Sequence, residues 1–143
     1  MANIMKIGII GSMYHTEKMV EVRDQLKKLG HDAFITELHY DFVGKTPAEK
    51  EQVKFQQIHG PIDTIREMWN LMQGADAVLV LNLEKNSVPN YIGANTLMEI
   101  GFAHVLKQKI FFYNPIPDNP YCREELEAVH PQIINGDLSK ISQ

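Results

Sequence analysis

With 143 residues, 44% of them hydrophobic, the chain can close one core of its own and reads as a single domain over residues 1–143. Its formal net charge of -4, from 14 Lys and Arg against 18 Asp and Glu with no basic cluster, excludes polymeric nucleic acid as an expected partner. One cysteine, Cys122, allows no internal disulfide, and no apolar run or leader pattern suits a bilayer, so the expectation is a soluble cytoplasmic protein with no membrane partner.

Lys6 to Ile10 reads as a short buried strand that ends in Gly11-Ser12. A helix follows from about Thr16 to Leu29, with Met19, Val22, Leu26 and Leu29 as its buried stripe and Gly30 as its stop. The loop Gly11-Ser12-Met13-Tyr14-His15 therefore joins a first strand to a first helix, where backbone N–H groups and the positive end of a helix dipole can meet a ligand. It has neither the full glycine pattern of a dinucleotide fold nor the Gly-Lys-Ser/Thr ending of a P-loop.

Ala33 to Thr36 reads as a second strand, and Glu37 to Gly44 leaves the sheet as a loop that either covers a planar ligand or plugs a gap in the core. Thr46-Pro47-Ala48-Glu49 is a complete helix start: a capping threonine, proline at the first helical position and a glutamate three residues after the cap. That helix should run to about Ile58, where Gly60-Pro61 breaks it. Another opens at Asp63, with Ile62, Ile65, Trp69 and Met72 as its expected apolar face. The charged span from Leu38 to Gly60 is longer than a minimal crossover and suits a lid or a subunit contact. His39 and His59 lack the paired spacing of zinc ligands, so no metal is expected.

From Asp76 to Pro115 the chain reads as buried strand, polar loop, helix, buried strand. Ala77 to Leu81 and Lys109 to Tyr113 are unbroken apolar runs of the kind found in parallel strands covered on both faces. Between them a helix over about Thr96 to Leu106 carries Leu97, Ile100 and Ala103 at helical spacing and completes a βαβ unit. Glu99 does not fit pure packing. It is expected in the first turn of that helix, either as the second half of a Thr96/Glu99 capping box or as a group facing a ligand. After the last apolar run come a proline-rich loop, a short helix over about Arg123 to Val129 and a final short strand near Gln132 to Gly136. The expected fold is α/β, a flavodoxin-like three-layer sandwich around a five-stranded parallel sheet of order 2-1-3-4-5.

Gly11-Ser12 after the first strand, Ala75-Asp76 before the third, and Gly93-Ala94-Asn95-Thr96-Leu97-Met98-Glu99-Ile100-Gly101-Phe102-Ala103 resemble the nucleoside 2-deoxyribosyltransferase-like superfamily. That superfamily includes deoxyribosyltransferases and 2'-deoxynucleoside 5'-phosphate N-hydrolases. The resemblance implies cleavage or transfer at the N-glycosidic bond of a (deoxy)nucleoside or nucleotide, with Glu99 as nucleophile and no cofactor. It also implies a homo-oligomer in which a neighbouring subunit closes the pocket. Gly11, Ser12, His15, Gly93 and Asn95 are then substrate-binding candidates, with Tyr14 and Asn82 as orienting groups and Tyr14 also a catalytic candidate. Gly101 and Ala103 would let the helix approach the sheet.

Two departures from the pattern matter. Met68 occupies the position where relatives carry an aspartate aimed at the site, leaving Asp63 or Glu67 as the nearest carboxylates to replace it. Met13-Tyr14-His15-Thr16 replaces the arginine-bearing glycine-rich loop of the phosphate-binding members, with Ser12, His15, Lys18 and Ser87 left to meet a phosphate. The first departure also suits a non-catalytic nucleotide-binding or sensing module. A third comparison, with phosphoribohydrolases that use a PGGxGTxxE loop, rests only on Gly93, Thr96 and Glu99.

Overall fold

The computed structural model describes residues 4–142. Five parallel strands, β1 (Lys6–Ile10), β2 (Asp32–Phe34), β3 (Ala77–Val80), β4 (Lys109–Phe112) and β5 (Gln132–Ile133), form one sheet of order β2-β1-β3-β4-β5. The expected flavodoxin-like order is the observed one. The helices are α1 (Thr16–Lys28), α2 (Pro47–Ile58), α3 (Thr64–Met72), α4 (Ala94–Val105) and α5 (Arg123–Ala128).

Alternation along the strands divides the core into two layers. Ile7, Ile9, Ala77, Leu79, Leu81 and Phe111 face one side, where Met19, Val22 and Leu26 of α1 cover them. Ile10, Val78, Val80, Ile110 and Phe112 face the other, under Met68 and Met72 of α3, Ile100 and Ala103 of α4, and Leu126 of α5. The connections leaving β1 and β3 thus turn to opposite faces of the sheet, which makes the carboxyl ends of these two adjacent strands the topological switch point, where folds of this order place their ligands. At the opposite, amino edge, Asp76 Oδ2 accepts from Lys6 N at 2.8 Å and ties the two strand entries together.

The structure departs from expectation at four places. Leu29 is 47% exposed, because α1 ends at Lys28 and Leu29 is its C-cap, so the buried stripe is Met19, Val22 and Leu26. In α3 the buried residues are Met68 and Met72, while Ile62 is 51% and Ile65 46% exposed, because the helix lays its Met68 side over Gly8 of β1. Gly101 is exposed and nothing lies where its Cβ would be, so close approach of α4 to the sheet is the work of Ala103 alone. α4 starts at Ala94 with Gly93 as its cap, and no side chain caps it. Thr96 is therefore already inside the helix, there is no Thr96/Glu99 capping box, and Glu99 stands one turn deeper than the first.

The segment Glu37–Phe42 forms a 3-10 helix whose His39 and Phe42 are buried, so it plugs the core. α2 has the capping box expected of Thr46 and Glu49, yet Lys50 is its one buried residue. Among the described residues no helix is long and apolar enough to cross a membrane.

Candidate active site

Gly11 and Ser12 lie at the carboxyl end of β1, beside Leu81 and Asn82 at the end of β3, and Leu81 N donates to Ile10 O at 2.8 Å. A Cβ on Gly11 would come within 3.0 Å of the Leu81 carbonyl oxygen, so only glycine lets the two strand ends run this close. Ser12 then caps a 3-10 turn, Met13–His15, by accepting from Tyr14 N, and leaves the Tyr14 side chain 39% exposed at this end of the sheet. Their rings meet edge to face at 5.2 Å.

The β3 to α4 loop forms the facing wall. Lys85 and Val88 pair through both backbone groups, with Asn86 and Ser87 at positive φ, so this is a two-residue hairpin turn. Tyr91 N donates to Leu83 O at 3.0 Å, and the Tyr91 ring folds over Gly93, where a Cβ would meet its hydroxyl at 3.2 Å. His15 joins the two walls. Its Nε2 lies 2.8 Å from the Glu84 carbonyl oxygen, which makes Nε2 the protonated nitrogen and leaves Nδ1 to accept. Burial lowers the His15 pKa, and the nearby Lys50 and Lys85 charges lower it further against the pull of the Glu84 hydrogen bond.

Glu99, in the first half of α4, is 8% exposed. Among the described residues no donor reaches its carboxylate, and burial alone pushes its pKa up to about 8. Among the described residues the polar side-chain atoms wholly enclosed without a partner belong to His39 and Gln108, and the Glu99 oxygens are not among them; carboxyls with so raised a pKa concentrate where chemistry uses them. The two surface concavities along α2 do not include Glu99; one is lined by Glu51, Gln52, Phe55 and Gln56, the other by residues such as Leu38, Val53 and Ile62.

Other candidates have different duties. Asn82 is fully buried, its amide donates to the carbonyls of Asn114 and Pro115 at 2.8 and 3.0 Å, and its Oδ1 accepts from Asn114 N at 2.8 Å. Both amide hydrogens are committed, so Asn82 positions the proline-rich loop and has none left for a ligand. Asn95 is exposed in the first turn of α4. Asp63 caps α3 by accepting from Arg66 N, Glu67 is exposed, and Met68 is buried at 1% exposure over Gly8, so the side of α3 that faces β1 carries no carboxylate. Lys18 pairs with Glu21 on the surface of α1. Cys122 is buried, with its thiol pKa raised by burial and by Glu125, an inert structural thiol.

Lys50 and Lys85 have no motif around them in the sequence, and both converge on Tyr14. Among the described residues, no three His, Cys, Asp or Glu side chains gather as metal ligands. No protein-family model matches the chain, and no curated protein matches it.

Proposed function

We propose that the chain breaks, or transfers across, the N-glycosidic bond of a (deoxy)nucleoside or nucleotide, with Glu99 as nucleophile. The observation that carries this reading is the largely buried Glu99 carboxyl, its pKa pushed up to about 8, on the helix that follows the β3 loop at the topological switch point. Departure of the base leaves an oxocarbenium-like sugar. The carboxylate closes on C1' as the C1'–N bond breaks, the electron pair leaves with the base, and a proton donor neutralises it. Water or a second base then displaces the ester from the vacated face, so configuration is retained. Tyr14, 39% exposed at the switch point, orients the substrate and is the candidate to supply the proton.

The nucleophile must be ionised, and in the free protein the Glu99 carboxyl holds its proton up to about 8. The specificity ratio kcat/KM should therefore climb with pH up to about 8. A positive charge growing on the sugar favours the carboxylate at the moment it is needed. The test is chromatographic: nucleosides and their 5'-monophosphates, with and without an acceptor base, over parent and Glu99→Gln protein. Base release or exchange that vanishes in the variant supports the reading.

Burial of Met68 where the resemblance calls for an aspartate favours a second reading, a binding module without turnover. Thermal stabilisation by one nucleotide, with no product from any, would establish that reading instead. A homo-oligomer is part of the proposal. Phe55, Ile58 and Ile62 stand 65%, 56% and 51% exposed along α2 and the entry to α3, an apolar face suited to a second copy. A monomer mass at micromolar concentration would sink this part. A cytoplasmic location belongs to the same proposal.

A further inference from the structure

The Glu37–Phe42 3-10 helix holds a histidine where nothing answers a charge. His39 is 3% exposed, and neither ring nitrogen makes a full hydrogen bond. The helix packs against α1, α2 and the Met13–His15 turn. From α1, Arg23 donates to the Tyr40 hydroxyl and Glu17 Oε1 accepts from Gly44 N at 3.1 Å. From α2, Gln57 Nε2 donates to Leu38 O at 3.1 Å and to Asp41 Oδ2 at 3.2 Å, while Lys50 Nζ is bonded to Tyr14 O at 3.0 Å and Glu17 Oε2 at 2.7 Å. His15 of the turn is bonded to the Glu84 carbonyl, and Glu37, Asp41 and Lys54 are exposed. None of these groups shifts the His39 imidazole: burial lowers its pKa, and only the Thr36 backbone pulls the other way.

We propose that His39 is an acid trigger: its protonation lifts the Glu37–Phe42 helix from the core, carries α2 with it, and withdraws Lys50 from Tyr14. The two helices are tied to each other by Gln57 and by Lys45 N, which donates to Phe42 O at 3.2 Å. α2 belongs to neither core layer, and beyond it the chain bends at Gly60, Pro61 and Ile62 before α3, where a hinge can sit. An imidazolium formed in place would be buried without a partner, whereas in the open form water solvates it. The open form therefore takes up a proton that the closed form refuses, and opening is favoured as pH falls from 6.5 towards 4. Glu17, whose carboxyl Lys50 holds below its ordinary 4.5, adds to the release only at lower pH. Such an opening needs no turnover and holds whatever the site binds.

Amide hydrogen exchange of the full chain, each rate taken relative to the intrinsic rate at the same pH, tests the trigger. At pH 7 the amides of α2 should open more readily than those of β3. From pH 7 to pH 5 their protection should fall by about twentyfold, the ratio set by an imidazole of 6.5 when open and about 4 when closed. Amides of α5, on the face of the sheet opposite α1, open without exposing His39 and should keep theirs. His39→Leu and His39→Phe take up no proton and should hold α2 protection within about threefold over the same range, with His15 present in both as background. Parent α2 protection that is unchanged between pH 7 and pH 5, or that falls as far in both variants, overturns the trigger. Protection in α2 equal to that in β3 at both pH values overturns a separate opening, because α2 then exchanges only by global unfolding. Loss of protection over residues 37–45 without loss in α2 overturns the coupling of the two helices. These last two results, and an unchanged α2, are read on the parent alone and need no variant that folds.

Discussion

Glu99→Gln exchanges a carboxyl for an amide of nearly the same shape, and its effect on stability can be worked out as a function of pH. Burial holds the folded carboxyl protonated up to about 8, against an ordinary value of 4.5. The folded chain therefore keeps a proton that the unfolded chain gives up. Because the folded value is the raised one, the stability is complete below 4.5 and is lost as pH rises towards 8. At about 1.4 kcal/mol per pH unit, the loss is about 3 kcal/mol at pH 7 and reaches about 5 kcal/mol above pH 8. The glutamine variant has no proton to lose. Urea unfolding should find it level with the parent near pH 4.5 and more stable by about 3 kcal/mol at pH 7, a rise of roughly 10 °C in Tm. Every other titrating group is common to both proteins, so the difference isolates position 99. A gap of the same size at pH 5 and pH 8 would refute the argument and mean that the Glu99 carboxyl finds a partner or water in solution.

The opposite limb of the stability curve belongs to His39. Neither ring nitrogen makes a full hydrogen bond, and burial, against a smaller pull from the Thr36 backbone, depresses its pKa from 6.5 to about 4. With the folded value lowered, stability is complete above 6.5 and falls by about 3 kcal/mol as the pH drops to 4. His39→Leu should flatten that acid limb in thermal melts between pH 4 and 7.5; an unchanged limb would place the acid sensitivity elsewhere. Asn82→Ala strands the Asn114 N–H and the carbonyls of Asn114 and Pro115, at a cost of about 3 kcal/mol or more. Amide exchange in the 114–120 loop should accelerate in the same variant, and a loss below about 1 kcal/mol would show that water replaces the clamp.

Features that depend on neighbours in sequence were legible before any coordinates. The apolar runs of β1, β3 and β4, the Met19, Val22 and Leu26 part of the α1 stripe and the Thr46 to Glu49 cap all appear where local pattern puts them, because each reports burial or capping within a few residues. The start of α4 misled for the same reason. Thr96 and Glu99 carry the letters of a capping box, but Gly93 caps three residues earlier with only its backbone, which leaves no side-chain signature. Sequence pattern alone could not choose between Met68 and Ile65 as the buried side of α3, since both are apolar and what decides is the space over Gly8 of β1. At the site, the Gly11 to His15 loop was readable from its place after a strand. Lys50 and Lys85 were not, because their meeting at Tyr14 is made by tertiary structure across 36 positions in one case and 71 in the other.

α2 packs into no layer of the core, and its single buried side chain is a lysine held by a glutamate and a carbonyl oxygen. With Gln57 Nε2 donating to Leu38 O and to Asp41 as well, its attachment is polar, while that of α1, α3, α4 and α5 is hydrophobic. The two kinds of attachment respond to different conditions. Salt loosens the first and leaves the second intact; cooling weakens the second and hardly touches the first. The helix outside both core layers is therefore the one expected to open first, and the global melting temperature reports the hydrophobic layers more than the contact of α2 with Tyr14.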